Sequence, residues 1–348
     1  MMAPAKAAEV EALLAEMPVW GSEFTGTFAN HAPMVLCALA EIGGTPAQMR
    51  RFFNHYKSYK KLLPFGQPST PLDAASWRSV LGQREREPDL RLFFSAEVSR
   101  LGIEAALKHY LPDLAPGVAA SAFHALMRTA YGVLRQNEDD IAIALAYWAA
   151  TYLALPPATG ASPVTDDPAE VLRRVTLIAP MHTLTLHDLL WQNMRDAAAL
   201  PDFVPVVDWL EIGSDTMEKM ADVAIRLFAA TQHFAALHVV TGLHWIRLLS
   251  PTCDRQTQGT LLRVFWQAIA ALMRELDFPT LPLEEEISRW RALPVPDWPE
   301  IFAAAASSYD EHDISLAYSA AQEMTIYADP LCRVAAARRL GLIGDYRT

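Results

Sequence analysis

"GVAASAFHALMRTAYGVLRQNEDDIAIALAYWAATYLAL" (residues 117–155) decides the fold. Two apolar runs at three- and four-residue spacing flank the polar "RQNEDD", the pattern of a helical hairpin. Working outward, alanine and leucine dominate, β-branched runs are short, and most windows keep the same helical spacing, so the chain reads as all-α. In "FANHAP" (residues 28–33), Pro33 suits the first turn of a helix, and Gly43-Gly44 stops it after "MVLCALAEI". Thr45 is placed to cap the next run, "PAQMRRFFNHYKSY". The opening "MMAPAKAAEVEALLAEM" reads as an amphipathic helix rather than a signal peptide.

The clearest break is "PPATGASPVTDDP" (residues 156–168), with a second Pro-rich stretch at residues 276–301. Apolar helices continue on both sides of the first break without a change of composition. Residues 1–348 are therefore expected to form a single large multi-helix domain with long Pro-rich loops and a pocket between helices.

The 348 residues are 52% hydrophobic, and 29 basic against 40 acidic side chains give a net charge of −11. An acidic chain without a basic cluster lacks what phosphate backbones require, so nucleic acid is excluded as a partner. The short run "YKSYKKLL", with Lys57, Lys60 and Lys61, reads as a solvated loop or helix end rather than a membrane patch. Apolar windows are too broken for a membrane span. Cys37, Cys253 and Cys332 are scattered and outside any CxxC pair, which fits a reducing cytoplasm and no zinc knuckle. Cys37 lies in an apolar helix and reads as a buried, inert thiol. No dinucleotide fingerprint, P-loop or GxSxG elbow occurs, so no flavin or nicotinamide domain is expected.

Histidines supply the remaining chemistry. "TQHFAALHVVTGLHWIRLL" (residues 231–249) holds His233, His238 and His244. On one unbroken helix His233 and His244 share a face but lie about 16 Å apart, while His238 points elsewhere, so this segment offers one ring to a metal, not three. In "SAFHALMRTAYGVLR", His124, Arg128, Tyr131 and Arg135 form a polar stripe; composition favours a solvated face, and the sharper reading turns it inward to line a pocket. His31 precedes a helix beside Asn30, and His312 sits in the acidic turn "DEHD", which the helix dipole alone would favour. His182 and His187 alternate like a short strand and are read as structural.

Taken together, "FANHAPMVLCALAEIGG", "SAFHALMRTAYGVLR", "EDDIAIALAYWAATYLAL", "HFAALHVVTGLHWIRLL" and "YDEHDISLAYSAAQEM" resemble the questin oxidase-like family, over about residues 28 to 340. That family is associated with oxygenation of polycyclic aromatic quinones, including Baeyer–Villiger-type or ring-cleaving chemistry without an ordinary flavin domain. The resemblance implies a non-haem Fe(II) site with one histidine from each of four segments: His31, His124, His238 and His312. It implies an O2-dependent oxidoreductase acting on a hydrophobic aromatic small molecule, with NADPH as an electron donor for which no motif is visible. Arg128 and Tyr131 would then orient a substrate carbonyl or phenolate, with His244 or Asp313 as supporting partners.

One departure stands out. The family pattern places a lysine after the last histidine, and here no lysine follows Lys219. Asp313, Glu311 or water takes its place, or metal binding has been lost. The competing readings are a non-catalytic helical protein binding a hydrophobic small molecule through Trp148, Trp245, Tyr131 and Phe123, and a metal-independent hydrolase or lyase with His124 or His238 as general base.

Overall fold

The computed structural model describes residues 4–346. It is 66% helical, with seventeen α-helices and one two-stranded sheet among the described residues, so the fold is all-α. The chain begins with α1 (Pro4–Leu14), the hairpin β1 (Glu23–Phe24) and β2 (Phe28–Ala29), α2 (Ala32–Glu41) and α3 (Pro46–Lys60). There follow α4 (Glu87–Leu101), α5 (Ile103–Leu114), α6 (His124–Arg135), α7 (Glu138–Ala150) and α8 (Pro168–Val175). Next come α9 (Leu190–Ala198), α10 (Val206–Trp209), α11 (Thr216–Thr231), α12 (Phe234–Leu249) and α13 (Arg255–Ala271). The chain closes with α14 (Glu284–Arg291), α15 (Trp298–Ala305), α16 (Glu311–Tyr327) and α17 (Leu331–Arg339).

These residues form two compact units. The first gathers the chain up to Phe65, Ala224–His244, and everything from Pro282 on; the second takes Gly66–Val223 and Trp245–Leu281. The break at residues 156–168 lies inside the second unit, where the Thr159 backbone N–H and hydroxyl both donate to the Asp208 carboxylate at 2.8 and 2.7 Å.

In the first unit α2 packs against α3 and α16, and α17 and α15 pack on α16. Its starts and stops follow from single residues. Pro33 sits in the first turn of α2, and Gly43 (φ 86°) leaves the helix in the left-handed region that glycine enters freely. Thr45 and Gln48 form a reciprocal capping box on α3, which then buries Met49, Phe52, Phe53 and Tyr56 at i, i+3, i+4 and i+7. Lys60, expected to be solvated, is instead three-quarters buried and ion-paired to the buried Glu311 at 2.9 Å. A buried carboxylate draws a long-stemmed cation inward because an unpaired charge there is costly.

In the second unit α7 packs between α4 and α6. The α6–α7 hairpin expected from the sequence is present, turned by Gln136 (φ 51°) and capped where the Asn137 side chain accepts from the Asp140 backbone N–H at 2.9 Å. Asn137→Ala is expected to destabilise the protein by about 1 kcal/mol, the usual cost of an N-cap, as a lowered midpoint in thermal denaturation.

Three sequence expectations need correction. Residues 231–249 are not one helix: Gln232 turns left-handed (φ 52°), and the His233 ring Nδ1 accepts from the Ala235 backbone N–H, ahead of α12. His182 lies in a one-turn helix (Ala179–Thr183), not a strand, with its Nε2 2.8 Å from the Thr176 carbonyl and its ring stacked on Phe278. The Pro-rich stretch at 276–301 contains α14 and the start of α15, since Glu284–Glu286 open a favourable first turn.

Candidate active site

The first unit brings three of the four histidines together. His31 sits at the N-terminus of α2, His312 in the first turn of α16 and His238 in α12. Ring centroids lie 5.0 Å apart for His31 and His312, and 5.6 Å for His238 and His312. The Phe234 ring, 4.6 Å from His238 and 4.7 Å from His312, is an apolar wall against both.

Each ring is pinned through the same nitrogen. The Nδ1 of His31 is 2.8 Å from the Ala29 carbonyl, and that of His238 is 2.9 Å from the Phe234 carbonyl. A carbonyl only accepts, so Nδ1 carries the proton and Nε2 keeps the lone pair, the tautomer of a metal-ligating histidine. The His312 Nδ1 lies 2.9 Å from Asp310 Oδ1, and its buried Nε2 has no hydrogen-bond partner among the described residues.

The surroundings orient these rings and keep His31 neutral. Burial, then the proximity of His312, lowers the pKa of His31 well below the ordinary histidine value. Tyr56 accepts the His31 backbone N–H at 2.9 Å, and burial together with the Glu311 carboxylate holds its phenol protonated. Burial works against the Asp310 charge, but hydrogen bonds from His312 and the Arg339 guanidinium hold its carboxyl well below the usual range. Tyr56, Phe234, Asp310 and Arg339 were not singled out from the sequence. Only Asp310 left a signal there, as an acidic N-cap ahead of α16.

The two carboxylates offered in place of the missing lysine are engaged elsewhere. Glu311 pairs with Lys60, and Asp313 accepts from Arg339 Nε at 2.7 Å and from Ser308 Oγ at 2.8 Å. Asp310, Glu311 and His312 nonetheless offer ligand atoms within 4.8 Å of one another. His244 is fully buried, its Nδ1 3.2 Å from Glu323 Oε1 and its ring edge-on to Tyr318.

The fourth histidine, His124, belongs to the second unit and opens α6. It follows three consecutive non-glycine residues in the left-handed region, Ser121, Ala122 and Phe123, with φ of 46°, 53° and 71°. Such conformations cost about 1–3 kcal/mol each and persist where the surroundings impose them, often at functional sites. Here Tyr147 Oη donates to Ser121 Oγ at 2.7 Å, Phe123 packs against Phe265, and His124 Nδ1 is pinned by the Ser121 carbonyl.

The polar stripe of α6 is buried, not solvated: His124, Arg128 and Tyr131 are each less than a tenth exposed. Burial and the Arg91 guanidinium push the Arg128 pKa down to about 10, which leaves it a cation at neutral pH, facing the charges of Asp140 and Glu87. Arg135 pairs with Asp140. Cys37 is buried, as expected. Phe123, Trp148 and Trp245 are core side chains, and the Trp148 indole N–H donates to the Gly117 carbonyl at 3.1 Å.

The chain is all-α, and its first unit brings His31, His238 and His312 close together with each Nδ1 held in place. Its residues 28–320 match the questin oxidase-like family model, and the chain belongs to that family. Membership makes it an oxidoreductase of the kind that acts on aromatic compounds. None of the curated proteins matches the chain. No helix among the described residues is long and apolar enough to cross a membrane.

Proposed function

We propose that the protein is an O2-dependent oxidoreductase that oxygenates or ring-cleaves an aromatic, quinone-like small molecule at a non-haem iron. His31, His238 and His312 are the ligands that the first unit supplies. The observation that carries this reading is the shared pinning of Nδ1 in His31, His238 and His312, which fixes the orientation of each ring. Imidazole suits Fe(II), and iron held there would supply one-electron chemistry with oxygen.

The chain's own residues do the rest. Asp310 orients His312, Tyr56 fixes the backbone at His31, and Phe234 keeps water from two of the rings. Within the first unit, Glu323 orients the buried His244 ring. NADPH is the electron donor of this reading, taken from solution rather than from a nucleotide domain.

The test is elemental analysis of untagged protein, as purified and after anaerobic Fe(II) reconstitution, followed by oxygen uptake with a panel of quinones. Near-stoichiometric iron and quinone-dependent uptake are expected. Protein that holds no iron after reconstitution overturns the reading.

A further inference from the structure

α16 carries more polar atoms than the histidine cluster uses. His312, Ser315, Ser319 and Glu323 recur at i, i+3, i+7 and i+11 and so share one face of the helix. Glu323 is occupied by His244 at the far end. Ser315 and Ser319 are 3% and 0% exposed, yet neither hydroxyl has a hydrogen-bond partner among the described residues.

That is unusual for a buried serine in a helix, because the carbonyl four residues back is always within reach. Elsewhere this chain uses that carbonyl: Thr325 bonds Ala321 on the same helix, Thr129 bonds Ala125, and Thr151 bonds Tyr147. Ser315 and Ser319 turn away from their own backbone. Buried hydroxyls left unpaired are destabilising, and native proteins keep few of them without a partner from outside the chain. The hydroxyls sit one and two turns along α16 from the equally partnerless His312 Nε2, so the three polar atoms form one edge leading away from the histidines.

The geometry points to Ser315 and Ser319 as a polar subsite that donates hydrogen bonds to oxygen substituents, phenolic hydroxyl or ring carbonyl, on an aromatic ligand bound at the histidine cluster. The inference rests on reading that cluster as the site of an aromatic substrate. It adds what selects among such substrates: an oxygenated edge facing α16.

The experiment measures equilibrium binding of naphthalenediol and of naphthalene to the full chain and to Ser315→Ala, Ser319→Ala and the double variant, by quenching of tryptophan fluorescence. The wild type is expected to prefer the diol. Each substitution is expected to erode that preference by about three- to tenfold, the worth of one hydrogen bond, while naphthalene affinity stays put and Ser315→Thr retains the preference. A preference unchanged in the double variant overturns the subsite and leaves the histidine site standing. Equal loss of both ligands makes the serines structural and also overturns it. Wild-type protein that binds neither probe removes the aromatic site itself, and the subsite with it.

Discussion

His238→Ala is expected to strip the protein of iron while leaving it folded. The ring is 1% exposed, and its Nδ1 is tied to the Phe234 carbonyl of its own helix, so α12 delivers Nε2 in a fixed direction. No flexible side chain in the cluster is free to substitute, since Glu311 is held by Lys60 and Asp313 by Arg339. Losing an outer-shell partner of a metal ligand costs about 10- to 100-fold in affinity, and losing the ligand itself costs more. His55→Ala is the matched control: His55 is exposed on α3 and stacks against Tyr59 and Tyr309. Elemental analysis of the two variants beside the wild type reads the result, with circular dichroism confirming the helices. Iron retained in His238→Ala at the level of the control removes His238 from the site.

Much of this fold was legible because its punctuation is local. Pro33, Gly43 and Thr45 each act through their own backbone preference or cap, and each did so where the sequence placed it. The failures are tertiary. Nothing in Thr231-Gln232-His233 announces a helix break, and Gln232 enters the left-handed region without glycine's permission. Likewise Ser121-Ala122-Phe123 has fair helical propensity, and contacts from Tyr147 and Phe265 hold it left-handed. The stripe His124, Arg128, Tyr131 looked solvated because charge on a helix face usually is; the compensating Glu87 and Asp140 come from α4 and α7, which spacing cannot reveal.

The site shows the same division. Helical geometry denied a three-histidine site to residues 231–249 on the premise of one unbroken helix, which the turn at Gln232 removes, and the segments that join His238 came from family resemblance, because no periodicity links residues 31, 238 and 312. Tyr56 left no trace in the sequence at all. It reads as one more apolar position on the buried stripe of α3, and only the folded chain shows its hydroxyl against the His31 backbone.

Trp148→Ala is expected to be the most destabilising single change discussed, at about 3–5 kcal/mol. The side chain is fully buried in α7, and α7 packs against both α4 and α6, so the cavity opens where the second unit has least room to collapse. Truncation also leaves the Gly117 carbonyl without the indole N–H. A larger residue at 117 is no remedy, because a Cβ there would clash with the Tyr152 ring. The loss reaches the candidate chemistry as well, since the neighbouring Tyr147 holds Ser121, and with it the left-handed turn that delivers His124. Denaturant unfolding of the wild type and of Trp148→Ala measures the difference. The same pair decides the role of this tryptophan: a side chain serving chiefly to stack on a bound aromatic would lower ligand affinity and leave the unfolding midpoint in place. Its burial and its bond to Gly117 predict the reverse, a midpoint that falls in the absence of any ligand.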